Sequence, residues 1–150
     1  MSEQQDLAHR RIGGWVGSLA AAFRRDLELE LAPFGVTASQ WPILSLCDSG
    51  EAGTPSELAR ALAVDAAVVT RLLDRLEAKG LVCREPHPDD RRSTCVELTE
   101  QARALVPKLR PIISKNNAKF LHGLNETELS LISGIFTKML QNASSQSASR

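Results

Sequence analysis

Apolar residues recur at helical spacing through residues 7–31, at Leu7, Ile12, Trp15, Val16, Leu19, Phe23, Leu27 and Leu31. Pro33 and Gly35 end that run. Thr37-Ala38-Ser39-Gln40 then reads as a capping box, with Thr37 able to cap the Gln40 amide and Gln40 able to reach back. A short apolar helix, WPILSLC, follows and stops near Ser49-Gly50; Pro42 falls in its first turn, where proline is tolerated. Thr54-Pro55-Ser56-Glu57 is a second capping box and opens the helix SELARAL. Asp65 stands where an N-cap belongs, before a longer helix over 66–79 that ends at Gly80.

After Gly80 the period changes. LVCRE and STCVELT are short, contain β-branched residues and flank the turn PHPDDRR, which predicts a β-hairpin. Thr99 caps a long helix over about 100–122 that contains Pro107 and Pro111, which should bend it unless neighbouring turns absorb the lost hydrogen bonds. Asn125-Glu126-Thr127-Glu128 is another capping box, before the amphipathic LSLISGIFTKML. Residues 142–150, small and polar, are expected to be disordered. The predicted fold is mainly α with a small β-hairpin wing: a helix–turn–helix followed by a wing, flanked by N- and C-terminal helices.

Composition narrows the function. The chain of 150 residues, 43% apolar, suits one domain with helical extensions. Its apolar runs are too short to span a bilayer, and the polar start MSEQQDLAHRR lacks the apolar stretch of a signal peptide, so a cytoplasmic protein without membrane association is expected. Cys47, Cys83 and Cys95 form no C-x-x-C pair and the three histidines are scattered, so neither a metal site nor a cofactor is expected. No nucleophile–base pair or phosphate loop stands out, so no enzyme is expected. Formal net charge is zero, which by itself does not point to nucleic acid.

The candidate chemistry lies in the helix over 66–79 and the turn after it. Val69, Leu72, Leu73 and Leu76 form one apolar face, which leaves Ala66, Ala67, Thr70, Arg71, Asp74 and Arg75 on the outer one. Such a helix fits a major groove. Thr70 suits a base or a phosphate, Arg71 a guanine or a phosphate, and Ala66 and Ala67 thymine methyls, while the helix N-terminus favours a phosphate. The plainer reading is that these are surface residues of a core helix. In the turn, Arg91 and Arg92 sit beside Asp89 and Asp90. This is either a solvated loop or an arginine for a narrow minor groove, pre-positioned by an aspartate. Between residues 60 and 95 there are seven positive and six negative side chains, so affinity must depend on where the charges point.

The stretch GTPSELARALAVDAAVVTRLLDRLEAKGLVCREPHPDDRRSTCVELTEQARAL resembles the winged-helix core of the MarR (multiple antibiotic resistance regulator) family. The matching residues are Ser56-Glu57-Leu58-Ala59, Val69-Thr70-Arg71-Leu72, Leu76-Glu77, Lys79-Gly80-Leu81, Asp90-Arg91-Arg92 and Leu98-Thr99, a pattern of about 50 residues with high specificity. The resemblance implies a homodimeric bacterial transcriptional regulator, usually a repressor. Residues 1–35 and 100–141 would form the helical dimerisation region and residues 36–99 the winged helix–turn–helix DNA-binding domain. Two recognition helices would enter successive major grooves of a pseudo-palindrome in double-stranded DNA, with the wings in the flanking minor grooves. Arg92 is the implied minor-groove residue and Asp90 its orienting partner. Arg91 is left to a structural salt bridge or a phosphate. Family recognition helices often begin with polar residues, whereas this one begins Ala66-Ala67-Val68, so sparse base readout is expected, with weight on Arg71, Thr70 and groove shape.

The resemblance also implies a small aromatic or phenolic ligand held between the dimer helices and the winged domain. Arg11 and Trp15, four apart on the first helix, and Trp41 at the start of the second would suit such a pocket; His9 and Ser45 are weaker candidates. Each also has an ordinary structural reading, as a helix-surface pair or a core aromatic. Two alternatives remain open. One is a thiol-based redox regulator of the same fold, using Cys83 and Cys95 on the two wing strands. The other is a protein-binding module that retains the winged fold.

Overall fold

The structure is a computed structural model and describes residues 3–147. Helix α1 spans Glu3–Leu31 and leads through a single 3-10 turn, Ala32–Phe34, into α2 (Trp41–Ser49). Helices α3 (Pro55–Leu62) and α4 (Ala66–Ala78) follow, then strands β1 (Val82–Pro86) and β2 (Thr94–Leu98), then α5 (Glu100–Leu121) and α6 (Glu126–Ser147). The strands form an antiparallel hairpin in which Val82 lies opposite Leu98 and Pro86 opposite Thr94. The expected order of elements is the observed one. Among the described residues no helix is long and apolar enough to cross a membrane.

The three predicted capping boxes close, the first in the turn just before α2 rather than at its N-cap, Gln40. In the Thr37–Gln40 box the Gln40 N–H donates to Thr37 Oγ1 and the Thr37 N–H to Gln40 Oε1, both at 3.2 Å. In the Thr54–Glu57 box the Glu57 N–H donates to Thr54 Oγ1, and the Gly53 and Thr54 N–H groups both donate to Glu57 Oε2. The Gly53 bond is the main reason the Glu57 carboxyl is held below its usual range. The Asn125–Glu128 box closes with two bonds of 2.9 Å.

Two expectations, for Asp65 and for the end of α6, need correction. Asp65 has extended N-cap backbone and its carbonyl accepts the Val68 and Val69 N–H groups, but its side chain caps nothing. Helix α5 runs as one element, Glu100–Leu121, through Pro107 and Pro111, as the predicted span has it. Finally, α6 continues to Ser147 through most of the segment expected to be disordered; residues 148–150 lie outside the described residues. Extending a formed helix costs far less than nucleating one, and Asn-Ala-Ser-Ser-Gln contains neither glycine nor proline to stop it.

The core lies among α2, α3, α4, the hairpin and the first three turns of α5, and is closed by Leu31 at the end of α1. Ile43, Leu44, Leu58, Leu73, Leu76 and Leu109 are fully buried there. Each such side chain contributes about 1.5–3 kcal/mol by leaving water. The C-terminal half of α1 packs on α5, where Phe23 stacks on Phe120 with ring centroids 3.9 Å apart. Lys119 pairs with Asp26 across this contact, and its hydrogen bond holds the Asp26 carboxyl below the usual range. In contrast, residues 9–21 of α1 and most of α6 are exposed.

Candidate nucleic-acid interface

Helix α4 presents two faces. Val69, Leu73 and Leu76 are buried and Leu72 is half-buried, so the i, i+3, i+4, i+7 row faces the core. Ala66, Ala67, Thr70, Arg71, Asp74 and Arg75 are all exposed on the other side. The Thr70 hydroxyl donates back to the Ala66 carbonyl at 3.0 Å, which leaves its oxygen free to accept. Because Asp65 does not use its carboxylate as a cap, no side chain of its own occupies the first amides of α4.

The acids near this face are drawn off by a residue that sequence reasoning did not single out. Arg84, half-buried on β1, pairs with Asp74 at 2.5 Å and lies 3.9 Å from Glu77. Asp74 and Glu77 are three apart on α4, so one guanidinium answers both. The result is an outer face on which Arg71 and Arg75 keep their charge while Asp74 is neutralised, and a wing tied to the helix. Only the acid pair on one helix side hints at this in the sequence; the partner lies across a turn.

The wing tip is organised by backbone bonds. The His87 N–H donates to the Ser93 carbonyl and the Ser93 N–H to the Asp90 carbonyl, both at 3.0 Å, and the Asp89 N–H donates to His87 Nδ1. Asp90 does not orient the Arg92 guanidinium: its carboxylate accepts the Arg92 backbone N–H at 2.9 Å. A short acidic side chain bonding the amide two residues on is an Asx turn, so Asp90 fixes the chain direction at Arg92 rather than its side-chain rotamer. Arg91 and Arg92 are exposed, and among the described residues neither forms an ion pair with a carboxylate.

The ligand candidates are only partly brought together. The Arg11 guanidinium lies over the Trp15 ring, 5.5 Å from its centroid, and both residues are exposed. Trp41 is half-buried against the core on α2, with Ser45 half-buried one turn on, and no ring contact joins Trp41 to Trp15 among the described residues. His9 is exposed on α1.

The three cysteines are free and half-buried. Cys83 lies opposite Glu97 and Cys95 opposite Glu85, so the two thiols share a face but are diagonal neighbours. Diagonal positions are roughly 7–8 Å apart at Cα, beyond the usual reach of a disulfide without backbone movement. Burial pushes the Cys47 thiol up to about 11, which keeps it protonated and unreactive at neutral pH. Among the described residues no group of His, Cys, Asp and Glu could hold a metal ion.

Comparison with known proteins places this arrangement. The MarR family model matches residues 36–94. The reduced form of MarR from E. coli is 31% identical, with 85% of this chain and 95% of that chain covered and a TM-score of 0.68. A cysteine-to-serine mutant of E. coli MarR, solved in complex with operator DNA, is 27% identical over 93% of this chain and 99% of that one, with a TM-score of 0.77. CouR from Rhodococcus jostii RHA1, solved with p-coumaroyl-CoA bound, is 22% identical over 86% and 91% of the two chains; its TM-score of 0.78 shows the shared fold.

Proposed function

The chain belongs to the MarR family of winged-helix DNA-binding transcriptional regulators, and we propose that it acts as a homodimeric repressor on a pseudo-palindromic operator. The observation that carries this reading is the outer face of α4: Arg71 and Arg75 stand exposed while Asp74 pairs with Arg84, beside a wing tip with two arginines that form no ion pair among the described residues. In this reading α4 enters the major groove, with Ala66 and Ala67 against apolar base edges and Thr70, Arg71 and Arg75 on bases or phosphates. Arg92 enters the minor groove on the chain direction set by Asp90, and Arg91 meets a phosphate. The relative solved with operator DNA supports DNA as the partner.

Dimer formation is supported by the opposite end of the molecule. Ile12, Trp15, Val16 and Leu19 on α1 and Leu131, Ile135, Phe136 and Met139 on α6 are large, apolar and exposed. Gly13, Gly14 and Gly17 each cost α1 about 1 kcal/mol relative to alanine, so this half of the helix needs a partner to persist. Residues 1–35 and 100–141 would then serve as the dimerisation region and 36–99 as the DNA-binding domain. Release by a small aromatic or phenolic acid fits the Arg11–Trp15 pair, a cation beside an aromatic wall; the p-coumaroyl-CoA held by CouR carries a phenolic acyl group and supports the phenolic part of that reading. The redox reading is less well supported, given diagonal wing cysteines and a protonated Cys47.

The test is selection of binding sites from a random DNA pool at physiological salt, with wild type and Arg92→Ala in parallel. The expected outcome is a two-fold symmetric site for wild type, with half-sites about one helical turn apart, and weaker enrichment for Arg92→Ala. No symmetric site would favour a protein partner for this surface.

A further inference from the structure

Helix α4 packs mainly on α3 and β1 and has little direct packing against α1. Its C-terminal end is nevertheless tied to the junction that follows α1. The Lys79 ammonium donates to the Gly35 carbonyl at 2.6 Å and to Gln40 Oε1 at 2.8 Å. Gly35 closes the 3-10 turn after α1 in the left-handed region, and Gln40 is only 2% exposed. Gln40 Oε1 also accepts the Thr37 N–H, and the next amide, Ala38, donates to Glu28 on α1. A chain of hydrogen bonds therefore runs from Glu28 on α1, through the 37–40 turn, to Lys79, the C-cap residue of α4. The backbone at the Lys79 end is fixed as well: the Gly80 N–H donates to Glu77 and the Leu81 N–H to Leu76, with Gly80 at φ 67°. A second tie, from Thr99 Oγ1 to the Gly80 carbonyl, fastens the same end to the start of α5.

From this network we infer that Lys79 is a positioning residue: its two hydrogen bonds set the angle of the recognition helix relative to α1, and so the separation of the two recognition helices in a dimer. The inference rests on the operator reading above. In a dimer, a small rotation of each α4 changes the distance between the two groove contacts, so half-site spacing is the property an orienting clamp controls. Lysine suits the task because one compact ammonium satisfies a backbone carbonyl and a buried amide oxygen at once. A methionine there would keep the apolar stem and lose both bonds.

The experiment uses the full chain and the symmetric duplex recovered by selection, together with versions one base pair longer and shorter between half-sites. Affinities are measured for wild type, Lys79→Met and Lys79→Gln, with thermal melting to confirm that each variant is folded. The expected result is that both variants bind a single half-site within about twofold of wild type, while the preference for native spacing falls at least about fivefold. Unchanged spacing preference in either folded variant overturns the inference. So does a uniform loss of affinity at every spacing with a salt slope reduced by about one, which would make Lys79 a phosphate contact instead. If wild type itself shows no spacing preference, it is the operator reading that fails.

Discussion

The two ends of this molecule treat their side chains in opposite ways. At the winged end the apolar residues are inside and the charges outside: Val69, Leu73 and Leu76 of α4 are buried, while Arg71, Arg75, Arg91 and Arg92 are exposed. At the far end, the first half of α1 and most of α6 leave leucine, isoleucine, tryptophan and phenylalanine facing outward. The winged end buries its core within one chain. The helical end does not, and exposed apolar faces of this extent mark an interaction surface. The proposed DNA contacts and the proposed assembly thus fall on separate surfaces, and the Lys79 hydrogen bonds lie where they meet.

The comparison breaks most sharply in the core. Leu73→Ala should destabilise the chain by about 2–5 kcal/mol through lost burial and a residual cavity, read by denaturant unfolding. A comparable cost for truncating the exposed Leu131 in a monomeric preparation would contradict the distinction. Next in size, Ile135→Asp combined with Phe136→Asp should convert the assembly to monomers in sedimentation while the far-UV circular dichroism of the winged region persists. Unfolding instead of dissociation would mean that α6 belongs to the same core.

A smaller effect sharpens the picture of the winged end. Arg84→Met removes the tie between wing and recognition helix and leaves Asp74 unpaired on the face proposed for DNA. Affinity should fall roughly tenfold, in line with about 1–3 kcal/mol for a lost specific contact, with little change in melting temperature. Restoration in the double variant Arg84→Met, Asp74→Asn would show that the unpaired acid is responsible. The smallest expected effect is at Glu57. Its carboxyl sits below the ordinary value of 4.5, so the stability it adds is present above that value and is lost as pH falls through its lowered folded value. Glu57→Gln should therefore show a shallower acid unfolding slope than wild type in a melting series from neutral pH downward.

Features that depend on near neighbours were legible in the sequence. The three capping boxes close as their spacing suggested, and the split of α4 into inner and outer faces follows its period. At the wing turn, carboxylate beside arginine suggests an ion pair, while the turn geometry gives the Asp90 carboxylate the Arg92 backbone amide. Arg84 and Lys79 were not legible as organisers. Arg84 finds its acid ten residues away across a turn, and Lys79 finds Gly35 and Gln40 some forty residues away. No periodicity reports such pairings, since they exist only once helices have packed. At the end of α6 a polar, small-residue composition suggests disorder, but the helix before it is already formed and extends through it to Ser147.

The most direct measurement is an anisotropy titration of the full chain on the selected two-fold duplex and on the same duplex with one half-site scrambled, each with wild type and Arg92→Ala. The account predicts two protomers per intact duplex, a preference over the scrambled duplex of about a hundredfold or more, and a loss of about tenfold for Arg92→Ala. Equal affinity for intact and scrambled duplexes, unmoved by Arg92→Ala, would contradict it.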